Sequence, residues 1–219
     1  MAKQLSLPLR RRGGKRPRAG RKPVGDRAGT PHRPREAFSA ARPVLVTKRV
    51  LPFVWSLRRR DTYAVIRRAI SETNFAGRIG IVHYAVLGNH LHLIVEADDS
   101  VSLARGLQGL WVRMAKQLNQ LMGRRGTVFA DRFHSRVLES PRQVRNGLAY
   151  VLCNARRHRV VRAVSRMWVD PFSSAPDFDG WTRKVTPVGP GSPTVPAMTW
   201  LLERGWRRHG LLDPAYVPG

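Results

Sequence analysis

Residues 79–96 constrain this chain more than any other stretch. Ile79-Gly80-Ile81-Val82-His83-Tyr84-Ala85-Val86-Leu87 is rich in β-branched and aromatic residues, and Gly88-Asn89 is a tight-turn pair. His90 to Glu96 reads as the strand returning from that turn. An antiparallel pair therefore stands at the centre of whatever the chain folds into.

Helical signals lie on both sides of the hairpin. Val44-Leu45-Val46-Thr47, running on towards Val50, predicts a first strand. Val65, Ile66, Ala69 and Ile70 give a helix over Tyr63–Phe75, with Asp61 as its cap and Gly77 as its stop. Leu103, Leu107, Leu110, Trp111, Met114 and Leu118 give a second helix from Val101 to about Leu121. Val128-Phe129 and Arg136-Val137-Leu138 predict one more strand, bent around Asp131. Ser140-Pro141 opens a last helix, reaching about His158. The order strand, helix, strand, strand, helix, strand, helix predicts an α+β fold. A ferredoxin-like antiparallel sheet with helices on one face, plus a C-terminal helix, fits it. The domain would span residues 43–158. Residues 1–42 read as a disordered basic arm, and residues 159–219 as an irregular tail with a short helix near Met198 to His209.

Charge narrows the partners. The 219 residues carry a formal charge of +26, and the arm alone holds thirteen Lys/Arg against Asp26 and Glu36. Such an excess attracts polyanions, nucleic acid first. No apolar run reaches the roughly 18 residues that span a bilayer, so no membrane is expected. The N-terminus shows no export signal, and a cytoplasmic setting is expected. Cys153 is the sole cysteine, which excludes an internal disulfide and a multi-cysteine zinc site.

Two constellations carry chemistry. On a strand, His90 and His92 share one face while Leu91, Leu93 and Val95 share the other. The two imidazoles are close enough to hold one divalent cation. Two unrelated strand histidines would look the same. On the last helix, Tyr150 and Asn154 are four residues apart and so share a face. Asn154 offers a third, oxygen ligand, and a mixed nitrogen and oxygen shell suits Mg²⁺ or Mn²⁺. Tyr150 is either a nucleophile that forms a phosphoester or a core aromatic with a wet hydroxyl. Arg132, His134 and Arg136 share one side of an extended segment and can place phosphates, or simply protect a strand edge. Arg156 and Arg157 offer phosphate contacts, or favour a helix C-terminus.

Val86-Leu87-Gly88-Asn89-His90-Leu91-His92-Leu93-Ile94-Val95 resembles the histidine–hydrophobic–histidine (HUH) strand of single-tyrosine transposases. Val128-Phe129 through Arg132, then Tyr150-Val151-Leu152-Cys153-Asn154, resembles the second half of the REP-associated tyrosine transposase branch. The two motifs stand in the right order over residues 43–158. The resemblance implies that His90, His92 and Asn154 ligate Mg²⁺ or Mn²⁺. It implies that Tyr150 attacks a DNA phosphate, giving a 5′-phosphotyrosine and a free 3′-hydroxyl. It further implies single-stranded, hairpin-containing substrates. Ala155 departs from the proline that often follows the asparagine in that branch, without removing a reactive group. A hairpin-binding protein that does not cut, and an RNA-binding protein, are the other readings; monomer and homodimer both remain open.

Overall fold

The turn at Gly88-Asn89 folds β2 (Gly80–Val86) back onto β3 (His90–Glu96). The computed structural model describes residues 37–158, 165–185 and 191–218. In chain order it holds β1 (Val44–Arg49), α1 (Arg60–Phe75), β2, β3, α2 (Ser100–Leu121), β4 (His134–Val137), α3 (Pro141–Leu152), α4 (Asn154–Arg157) and α5 (Trp200–Glu203). The sheet order is β2-β3-β1-β4, with every neighbouring pair antiparallel. This is the ferredoxin-like α+β arrangement the sequence predicts. Both crossovers, through α1 and α2, lie on one side of the sheet.

Alternation divides the sheet into two faces. Val44 and Val46 of β1, with Leu91, Leu93 and Val95 of β3, pack beneath Ile66 and Ile70 of α1 and Leu103 and Leu107 of α2. Ala85 and Ile94 face the other way, against Val144, Leu148 and Val151 of α3. A register shift between Ile81 and His83 places one extra residue on β2 and lets Val82 join this second core.

Residues beyond 165 are irregular, as expected, yet they build much of the second core. Phe178, Trp181, Trp206 and Leu212 are buried against α3 and the sheet. Two polar ties fix them. Asp170 accepts both arms of the Arg58 guanidinium at 2.7 and 2.8 Å, and is 2% exposed. Glu96 accepts from the Met198 and Thr199 amides at 2.8 and 2.9 Å and from the Thr199 hydroxyl at 2.7 Å.

Some local expectations change. Asp61 lies inside the first turn of α1 rather than capping it; its carboxylate accepts the Thr62 amide. Val128-Phe129 forms no strand: Phe129 makes a single bridge to Val50, and β4 begins only at His134. Between them the Asp131 carboxylate takes the Arg132 amide and the Asp131 carbonyl takes the Lys48 ammonium, which diverts the backbone from the ladder. The last helix is not continuous. Cys153 leaves helical geometry at φ −103° and ψ 6°, separating α3 from α4. Residues 1–36 of the basic arm lie outside the described residues. From Phe38 the chain already packs on the first core, and Arg42 pairs with Glu139 at 2.6 Å.

Candidate active site

β3 presents His90 and His92 on the face away from its leucines. Both are buried, at 9% and 2% exposure. Their rings meet edge to face with centroids 4.9 Å apart. Each ring is held at Nδ1. His90 Nδ1–H donates to the Asn89 side-chain carbonyl at 2.7 Å, so its Nε2 keeps a lone pair. His92 Nδ1 lies 2.9 Å from the Thr47 hydroxyl. The β1–β3 register places Thr47 directly opposite His92 and Arg49 opposite His90. The His92 Nε2 is buried with no hydrogen-bond partner among the described residues.

Electrostatics keep both rings neutral. Burial pushes the His90 imidazole down to about 4, helped by His158 and Arg49. Burial pushes His92 down to about 3, with His90, His158 and Arg157 adding to the effect. Neutral imidazole is the form that ligates a cation.

Helices α3 and α4 lie over this pair. The Tyr150 ring meets the His92 ring with centroids 4.9 Å apart, and the His158 ring meets His90 at 5.5 Å. Asn154 falls midway in sequence between those two contacts. It is fully buried, and both its amide nitrogen and its amide oxygen lack a hydrogen-bond partner among the described residues. An amide buried with nothing to bond is costly unless something else occupies it. Three buried side-chain atoms, one on His92 and two on Asn154, are thus unpaired among the described residues, and Asn154 lies in sequence between the residues that contact His92 and His90. In donor chemistry, two neutral imidazole nitrogens and an amide oxygen fit a divalent ion of the Mg²⁺ or Mn²⁺ kind. Among the described residues no group of three or more His, Cys, Asp and Glu is placed to hold a metal.

Two of the other tyrosines are already occupied. Tyr63 and Tyr84 bond each other through their hydroxyls at 2.8 Å, and burial raises Tyr84 far above its ordinary range. Burial likewise pushes the Cys153 thiol up to about 12. Of the four tyrosines, Tyr150 is the one with a histidine ring contact among the described residues.

The expected phosphate contacts divide. His134 and Arg136 are exposed on edge strand β4, opposite Thr47 and Leu45, and so on the histidine face. Arg157 is exposed, its guanidinium 5.8 Å from the Tyr150 ring centroid. Arg132 is half-buried, outside β4. The Arg156 guanidinium is committed within the chain: it donates to the carbonyls of Pro214, Ser165 and Trp168 at 2.7–2.8 Å, clamping the later chain to α4. Sequence reasoning missed Thr47, Asn89 and His158. Asn89 stands in the turn pair before His90, and His158 stands eight residues on from Tyr150, whereas Thr47 leaves no trace in the sequence.

No protein-family model matches the chain, and no curated protein matches it. Among solved structures, a REP-associated tyrosine transposase bound to a REP hairpin aligns with a TM-score of 0.51. The match covers 66% of this chain and 82% of the transposase chain at 21% identity. The chain has that transposase's fold. The likeness read from the HUH motif and the Tyr150 helix is thus a likeness of architecture too. In this chain the sheet carries His90 and His92, and the helices that follow carry Tyr150 and Asn154.

Proposed function

We propose that this protein cuts and rejoins single-stranded DNA next to hairpins, with Tyr150 as nucleophile. The observation that carries the reading is the contact of Tyr150 with His92, whose buried Nε2 is unpaired, as are both amide atoms of Asn154. His90, His92 and Asn154 would hold Mg²⁺ or Mn²⁺. When bound, such an ion draws charge from a non-bridging oxygen of the scissile phosphate.

The chain's own residues do the rest. The Tyr150 phenolic oxygen forms a bond to phosphorus and loses its proton to solvent. The bond from phosphorus to O3′ breaks, and O3′ takes up a proton to become a free 3′-hydroxyl. The 5′ end stays on Tyr150 as a phosphodiester, so a 3′-hydroxyl can later reverse the step without outside energy. Thr47 and Asn89 keep the histidine rings in position. Arg136 and Arg157 would neutralise backbone phosphates along the exposed edge, with His134 and Arg132 as further contacts beside them. The solved neighbour, which is bound to a REP hairpin, supports a hairpin as the partner.

The test is covalent capture. A labelled DNA hairpin with an unpaired flank is incubated with the protein and Mn²⁺, then denatured. A protein–DNA adduct is expected with the wild type, and none with Tyr150→Phe, with His92→Ala or with chelator present. Adduct formation by Tyr150→Phe at the wild-type level would remove the nucleophile assignment. Binding of the hairpin with no adduct under any metal would leave a binding module.

A further inference from the structure

The segment joining β1 to α1 is fixed by main-chain hydrogen bonds. The Val50 amide donates to the Asn89 carbonyl at 3.0 Å, the Leu51 amide to Val128 at 2.8 Å, and the Leu57 amide to Gly88 at 2.9 Å. The loop is therefore tied to the turn that delivers His90. Its inward positions are filled by Val54 and Leu57, which are 7% and 0% exposed. Its outward positions are two large rings, Phe53 and Trp55, which are 55% and 39% exposed.

Each ring has an arginine against it. The Arg124 guanidinium carbon lies 4.2 Å from the Phe53 centroid, and the Arg59 carbon lies 4.2 Å from the Trp55 centroid. Polar partners hold both guanidinium groups in turn. Arg59 donates to the Asp61 carboxylate at 2.9 and 3.2 Å. Arg124 donates to the carbonyls of Arg125 and Thr127 at 3.3–3.4 Å. The rings are thus braced on one side and open to solvent on another. Arg60 and Arg125, next in sequence to the bracing arginines, are themselves exposed.

Burying these rings in the core is not what the loop does with them, since Val54 and Leu57 already occupy the space beneath. We infer that Phe53 and Trp55 form a stacking platform for unpaired bases in the DNA flank beside the histidine site. Aromatic rings stack on any base, whatever its sequence, and fixed arginines beside them meet the phosphates between bases. A duplex keeps its base faces covered, so the platform separates single-stranded flank from paired stem. An apolar protein partner fits less well, because the rings stand among cations. The inference rests on the single-stranded DNA reading above, but it is tested by binding alone.

The experiment uses the full chain and two fluorescent DNA probes at one salt concentration: a hairpin with an unpaired flank, and the same stem as a blunt duplex. Phe53→Ala and Trp55→Ala should each weaken binding to the flanked hairpin roughly 5- to 100-fold, the range for loss of one stacked base. Binding to the blunt duplex should stay within about twofold, since the substitutions remove no charge. Trp55→Phe should restore most of the difference. Equal affinities of wild type and both alanine variants for the flanked hairpin would overturn the platform, and so would equal losses on both probes. Adduct formation at Tyr150 is scored separately, so failure of the chemistry and failure of the platform give different results.

Discussion

Thr47 reaches His92 from the neighbouring strand, and its hydroxyl is the only support that ring's Nδ1 has among the described residues. Partners of this kind set the tautomer and orientation of a metal-ligating imidazole, and their loss typically costs about 10- to 100-fold in metal affinity. Thr47→Val keeps the shape and removes the hydroxyl. It should weaken Mn²⁺ binding by that order in calorimetry while leaving the melting curve of the metal-free protein nearly unchanged. Undiminished affinity would mean that packing alone orients His92. A second expectation concerns acid. His83 is buried beside the Ser174 hydroxyl at 3.2 Å, and burial pushes it down to about 4. His90 is likewise held to about 4 and His92 to about 3. The unfolded chain takes up these protons near pH 6.5, so between pH 6.5 and about 4 it binds more protons than the folded chain. Stability of the metal-free protein should therefore be complete above pH 6.5 and fall steadily as the pH drops towards 4. Urea midpoints at pH 7, 6 and 5 read this directly, and a flat series would show that the three rings are already solvated.

The secondary elements differ in how far their sequence announces them. β3 is legible residue for residue, because its histidine–leucine alternation and the Gly88-Asn89 turn are both local signals. The pairing of Thr47 with His92 is not legible, because it depends on the β1–β3 register, and a strand threonine looks alike whatever lies opposite. The helix break at Cys153 is equally silent: no glycine or proline marks it, and Ala155 gives no hint of it. Least legible is the chain beyond 165. Its contribution to the core comes from single aromatic residues and two buried polar ties, with no periodicity to read. One of those ties gives a clear test. Asp170 and Arg58 are buried together, with side-chain exposures of 2% and 13%. Removing one member of such a pair strands the other charge, at a cost of about 3–5 kcal/mol. Asp170→Ala should lose that much in denaturant unfolding. Glu139→Ala opens the exposed pair with Arg42 and should lose less than about 1 kcal/mol. Similar losses for the two would mean that residues after 165 dock without the Asp170 tie.

For the molecule as a whole, charge and fold answer different questions. The excess of +26 attracts polyanions of any sequence, whereas the fold sets which side chains Tyr150 meets. Exposed Arg136 on β4 and Arg157 on α4 frame the histidine face, while Arg58 and Arg156 are turned inward to hold the later chain in place. That holding has a consequence for two damaged copies in one tube or one cell. Tyr150 touches the His92 of its own chain, on a helix packed against its own sheet and its own residues 202–212. A His92→Ala protein mixed with a Tyr150→Phe protein should therefore form no adduct. Recovery of activity in the mixture would mean that the nucleophile crosses between copies. If the mixture stays silent, the two lesions belong to a single complementation group: an intact tyrosine on one polypeptide is of no use to intact histidines on another.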